Sequence, residues 1–238
     1  MRRPGFTLIE ALIGLSLSLF IVAAGVEIFA RAERAFLRLK AGEEAGQAAL
    51  AALDRIRIDL LHSGRGLSSE IVLGLFEPVE VTGGELRTTT LETTLRLAAD
   101  AQAGDTRLIL VSASDVAAGQ RITLRQGPAG EIRTVVRVMT GAVLVDAPLG
   151  QHYVRDATAV SLLELVTYFR DSASRVLRRR VNTSPAQPML EDIAAVEWDL
   201  DSQAHLVRIR LEPDTQGVHP HDATVFLKNP ALAGRSEP

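Results

Sequence analysis

The 238-residue sequence predicts an α+β protein: a long N-terminal helix packed on an antiparallel β-sheet head, with a small inserted β-barrel or sandwich. Three observations predict it. An apolar run from Phe6 to Ala30 is interrupted only by the carboxylates Glu10 and Glu27. It passes into a stretch whose apolar residues recur every three or four positions, which is helical spacing. From Glu70 onward the chain breaks into short β-rich runs divided by Gly- and Pro-containing turns.

An apolar segment of about 20 residues is long enough to cross a bilayer as a helix. Arg2 and Arg3, followed by the helix-breaking Pro4-Gly5 pair, should hold its start on the cytoplasmic side. Glu10 stands where hydrocarbon should begin. A charge there costs at least about 2.5 kcal/mol, so a carboxylate in that place points to function and calls for a named partner. Arg31, Arg34 and Arg38 mark the outer membrane–water boundary. Glu27 either sits near that boundary or pairs with Arg31 four residues on.

Past Ala30 the helical pattern continues with charge on it. Ala32, Phe36, Leu39, Gly42, Gly46, Ala49, Leu53, Ile56 and Leu60 form one stripe, the face on which a globular sheet should sit. Ser63-Gly64-Arg65-Gly66 reads as the helix end. From Phe6 to His62 is 57 residues, or roughly 85 Å at 1.5 Å per residue, half expected in the membrane and half outside.

The head is expected to start with strands at Glu70–Leu75 and Glu92–Leu97. A compact block follows, with runs at Thr106–Ser112, Arg121–Arg125, Glu131–Met139 and Ala142–Asp146. This is the inserted β module, residues 97–160. The main sheet resumes with strands at Ala159–Arg170 and Ser174–Asn182, a loop at Ser184–Pro188, a hairpin of Ile193–Leu200 with His205–Glu212, and a closing strand at Asp222–Lys228. Residues 230–238 read as a flexible tail.

The contiguous stretch Gly5-Phe6-Thr7-Leu8-Ile9-Glu10-Ala11 resembles the class III signal of the type IV pilin-like family. The resemblance implies a leader, residues 1–5, removed by prepilin peptidase between Gly5 and Phe6, and N-methylation of Phe6. It implies that Glu10 pairs with the freed Phe6 amine of a neighbouring subunit during assembly. Glu10 lies one helical turn from that amine on the same face, and an unpaired buried charge is strongly disfavoured. The rival readings of the stretch are an uncleaved signal anchor with an incidental Glu, or an ordinary signal peptide, against which the lack of a small-residue cleavage site weighs.

A looser resemblance covers the head. Leu53-Asp54-Arg55-Ile56-Arg57-Ile58-Asp59-Leu60-Leu61, Val166-Thr167-Tyr168-Phe169, Leu177-Arg178-Arg179, Met189-Leu190-Glu191-Asp192-Ile193 and Val196-Glu197-Trp198 are similar to pieces of the W-class minor pilins and the J-class minor pseudopilins of type II secretion. The layout so implied is residues 6–30 as transmembrane helix, 31–63 as amphipathic helix, and 64–96 with 161–229 as a pilin-like head. The 97–160 block has no counterpart in that pattern.

Composition narrows the function classes. Hydrophobic content of 47% with 23% charged residues describes a folded chain. The net charge of −3 becomes −5 without Arg2 and Arg3, which weighs against nucleic-acid partners. Cysteine is absent, so thiol chemistry and thiolate metal sites are excluded. There is no phosphate-binding loop, no nucleophile elbow and no paired-His metalloprotease motif, so no catalytic residue and no cofactor is expected. His219-Pro220-His221-Asp222 places two imidazoles and a carboxylate that could bind a metal; the plainer reading is a polar loop entering the last strand. Arg178-Arg179-Arg180 could attract phosphate or act as a solvated strand edge that discourages aggregation, the latter being favoured. Trp198 is expected in the core.

The sequence thus predicts a non-enzymatic minor pilin or pseudopilin, single-pass in a bacterial inner membrane, with its head in the periplasm or outside the cell. Its expected partners are prepilin peptidase and other minor and major pilins or pseudopilins. The alternative is a tip adhesin or ligand-binding subunit that uses the inserted module.

Overall fold

The computed structural model describes residues 8–215 and 218–233. The chain divides into two compact units. The first holds the helix α1 (Leu8–His62) as far as Gln47, and the second runs from Ala48 to Asp214 and resumes at His219.

In the first unit α1 is apolar on every face from Leu8 to Ala30, apart from Glu10 and Glu27, and carries charge beyond. Leu15, Phe20 and Ile21 are 70%, 74% and 62% exposed, so this part buries none of these side chains within the chain. The helix is long and apolar enough to cross a membrane. The hydroxyls of Ser16 and Ser18 donate back to the carbonyls of Leu12 and Gly14, both at 2.8 Å. A polar side chain facing hydrocarbon is satisfied in this way by its own backbone.

In the second unit the last turns of α1 bury Ala49, Ala52, Leu53, Ile56 and Leu60. Two antiparallel sheets cover this stripe. The larger has nine strands, including the path β1 (Val79–Thr82), β2 (Glu85–Leu95), β7 (Ala159–Asp171), β4 (Arg121–Gln126), β5 (Ala129–Met139), β6 (Ala142–Val145) and β3 (Arg107–Ile109). β8 (Val176–Val181) joins β7, and β9 (Gln187–Leu190) joins β8. The smaller sheet is β10 (Ile193–Asp201), β11 (Leu206–Pro213) and β12 (His221–Phe226), in that order. Leu86, Val166, Tyr168 and Leu177 from one sheet meet Val207, Ile209, Leu211 and Val225 from the other in a single core with the helix stripe. The expected stripe is therefore realised only from Ala49 onward; Phe36 and Leu39 are 63% and 75% exposed.

Several expected elements differ. Glu70–Leu75 was expected as a strand, but Ser68–Val72 is a helix, α2. Leu67, Ile71 and Leu75, within and on either side of it, stand four apart, which is helical rather than strand spacing, and they pack together with Phe76 and Leu163. Gly83-Gly84 forms the turn of the β1–β2 hairpin with both φ angles positive, 61° and 80°. The loop expected at Ser184–Pro188 is present but ends sooner, because β9 begins at Gln187. The start of the expected tail lies in a short helix, α3 (Lys228–Ala233), anchored where the Asn229 amide donates to the carbonyls of Leu61 and Ser63 at 3.1 and 2.9 Å.

The strands of the 97–160 block do not form a separate sheet. β4 pairs with β7 through Arg121↔Leu163 and Leu124↔Val160, so the block extends the head's sheet. It encloses a core of its own from Leu97, Leu108, Ile122, Val135, Val143 and Tyr153. β7 carries the join. β2 runs along one side of it, while the other side is taken first by β4 and then, from Val166, by β8. Asn182 sits at the changeover, where its backbone NH donates to the Leu165 carbonyl at 2.7 Å and its side-chain oxygen accepts from the Leu165 NH at 2.8 Å.

Candidate functional site

The sequence concentrates function at the start of the chain. Gly5 and Phe6, the expected processing pair, lie outside the described residues. Glu10 lies in the first turn of α1 on an exposed surface, among Leu8, Ile9, Leu12 and Ile13, which are all more than half exposed. Further along, Glu27 is taken by Arg31, its neighbour one turn on, which settles its two readings in favour of the pair. Arg34 donates to the Ala30 carbonyl at 3.0 Å. Glu10 thus lies near the start of the apolar segment and the Glu27–Arg31 pair near its end.

A second cluster fixes α1 to the larger sheet. The Tyr168 hydroxyl donates to Asp59 Oδ2 at 2.5 Å, and Arg179 Nε reaches the same oxygen at 2.9 Å. Arg55, one turn before Asp59, adds a 3.4 Å ion pair. Tyr168 is fully buried, and the Asp59 and Arg179 side chains are 10% and 15% exposed. Burial, and then the Asp59 carboxylate, push the Tyr168 hydroxyl well above the ordinary tyrosine range. Burial works to lower the Arg179 pKa, but its bonds to Asp59 and Tyr168 outweigh that and raise it. The cluster can hold a helix in register on a sheet. Its shared acceptor ties both strands β7 and β8 to the helix. Nothing in the sequence marks Asp59 as their partner, because it lies more than a hundred positions from both Tyr168 and Arg179.

A third cluster stands where the 97–160 block meets the head. Glu92 lies at a register shift in β2. It accepts from Gln120 Nε2 at 2.8 Å and from Asn182 Nδ2 at 3.2 Å. Gln120 is buried and its oxygen accepts from the Ala117 NH at 2.6 Å. Burial pushes the Glu92 carboxyl above the usual carboxylate range despite the Asn182 bond, and Glu164 and Asp115 push the same way.

The remaining sequence candidates separate. His221 and Asp222 are consecutive on β12, so their side chains face opposite sides of the sheet, and Asp222 lies 3.6 Å from Arg210. Among the described residues no group of three His, Cys, Asp or Glu is placed to hold a metal. The expected strand edge is covered at Arg178 and Arg179, where β8 pairs with both β7 and β9, while Arg180 pairs with β7 alone. Each arginine has its own partner: Arg178 bonds Asp171 at 3.2 Å, Arg179 bonds Asp59, and Arg180 lies 5.5 Å over the Phe169 ring. Trp198 is half-buried against the core, with its indole NH donating to the Gly84 carbonyl at 3.0 Å.

No family model matches the chain, and no curated protein matches it. It is similar in part to solved phage tailspikes. Gp54 of Acinetobacter baumannii bacteriophage AP22, solved in complex with A. baumannii capsular saccharide, is 14% identical over 32% of this chain and 15% of that one, with a TM-score of 0.28. The tailspike gp61 of Pseudomonas phage phi297 is 19% identical over 31% and 14%, with a TM-score of 0.28. The tailspike gp49 of Pseudomonas phage LKA1 is 18% identical over 31% and 15%, with a TM-score of 0.26. The chain spans no more than 15% of the length of these tailspikes, and overlaps this slight carry no argument about fold or function.

Proposed function

We propose that the protein is a minor pilin or pseudopilin, a non-catalytic subunit anchored in the bacterial inner membrane that primes or joins a type IV pilus or a type II secretion pseudopilus. The observation that carries this reading is the division of labour within α1. Its first part exposes apolar side chains on every face, and its last turns pack under antiparallel sheets. The Gly5-Phe6-Thr7-Leu8-Ile9-Glu10 signal then supplies the processing and assembly chemistry. Prepilin peptidase cuts before Phe6, and Glu10 sets the register of assembly through the Phe6 amine of an adjacent subunit. The apolar helix moves from lipid into a bundle of helices, trading one apolar surrounding for another, so charge pairing and close packing supply the specificity. The 97–160 block rides on this head as an added module.

The test is Glu10→Val. The variant should insert in the membrane as well as the native chain, since it removes a charge from the apolar segment. It should be lost from filaments sheared from cells. Undiminished incorporation would refute the role given to Glu10.

A further inference from the structure

We propose that the outward face of β3, β5 and β6 is a docking surface for an acidic protein segment that also carries aliphatic side chains. The strand register builds this face. Leu108, Val143 and Val138 point into the core of the 97–160 block. The alternate residues form two cross-strand rows, Arg107–Leu144–Arg137 and Ile109–Ala142–Met139; Arg107, Arg137 and Ile109 are exposed, Leu144 and Met139 are half-buried, and Ala142 is buried. Ile109 and Val111 are 43% and 68% exposed. The Val111 NH donates to the Arg96 carbonyl at 2.9 Å, and the Ala98 NH to the Ile109 carbonyl at 2.8 Å. Those bonds run the face into a cleft of about 570 Å³ lined in part by Arg96, Ala98, Val111 and Arg155.

The charges on this face differ from those on the smaller sheet. On the exposed side of β10–β12, Arg208 and Arg210 are matched by Asp199 and Asp222 at 2.7 and 3.6 Å. In the cleft Arg155 is held by Asp156 at 3.0 Å. Arg96, Arg107 and Arg137 have no ion-pair partner among the described residues. Arg107 and Arg137 flank the β6 strand, so their backbones stand about 10 Å apart across two strand spacings. Forked guanidinium groups around an aliphatic floor fit carboxylates interleaved with Val, Leu or Ile. A saccharide or a single-stranded nucleic acid would want aromatic platforms, and no residue named on this face is aromatic.

The test uses the full chain in detergent and a fluorescent peptide of alternating Glu and Val, read by anisotropy. Binding should weaken as salt is raised. The double variant Arg107→Glu/Arg137→Glu should weaken it by about tenfold or more, and Val111→Asp should weaken it independently. Arg57→Glu, a reversal on α1, should leave it unchanged, and all variants should keep the native melting transition. The proposal is overturned if the native chain does not bind the peptide or if the double variant binds it equally well. It is also overturned if an all-Glu peptide or a polyuronate binds as tightly and is lost in the same variants, since the face would then be a general polyanion site.

Discussion

Residues 8–30 and residues 48–62 belong to one α-helix and meet opposite fates. In the first stretch Leu15, Phe20 and Ile21 stay exposed, while in the second Leu53, Ile56 and Leu60 are buried under two sheets. Both are rich in apolar residues, so hydrophobicity alone does not separate them. The difference lies in the arrangement. An apolar surface that runs all round a helix cannot be covered by one sheet and calls for an apolar solvent. A single stripe with charge on the opposite side is what a sheet can cover.

The sharpest way to break this comparison is in the buried stretch. Ile56 is fully buried in the shared core, so Ile56→Ala should cost about 2–5 kcal/mol and lower the melting temperature of the head. Next comes the clamp on the same stretch. Asp59→Ala strips Arg179 and Tyr168 of their shared acceptor in a largely buried place and should cost about 3 kcal/mol in chemical denaturation. Asp59→Asn, which keeps an acceptor oxygen, should recover part of that loss.

A third test reads the same burial through pH. The chain has two tyrosines, Tyr153 and Tyr168, both fully buried and both with raised pKa values, chiefly through burial. The unfolded value is about 10. The stability they contribute is therefore present below that pH and is lost as pH rises toward their folded values. Phenolate absorbance should stay low near pH 10 in the folded protein and emerge together with unfolding. A free titration near pH 10 in the folded state would contradict the packing around both rings. The smallest effect belongs to the exposed stretch. Leu15→Ala should change the melting of the head by less than about 0.5 kcal/mol, and a loss as large as that for Ile56→Ala would erase the distinction between the two stretches.

What could be read from the sequence was local. The helix end at His62, the long strand β7 and the β10–β11 hairpin each rest on spacing within a short window, and each is present. α2 is not legible in the sequence because a five-residue helix offers too few positions to separate a period of four from a strand. The sheet extension through β4 was hidden because a strand's neighbour is chosen by tertiary packing, and β7 takes two different neighbours along one side. The Asp59–Tyr168–Arg179 cluster was hidden for the same reason, although all three residues stood inside segments already recognised as ordered. The residues of the proposed processing site sit in one contiguous stretch, which is why that site could be named without a fold.

The most direct test of the account is the intact mass of the protein purified from its native membranes. The account predicts a chain that begins at Phe6, methylated on its amine, and a Gly5→Val variant that keeps residues 1–5. A native chain that still begins at Met1 would contradict it.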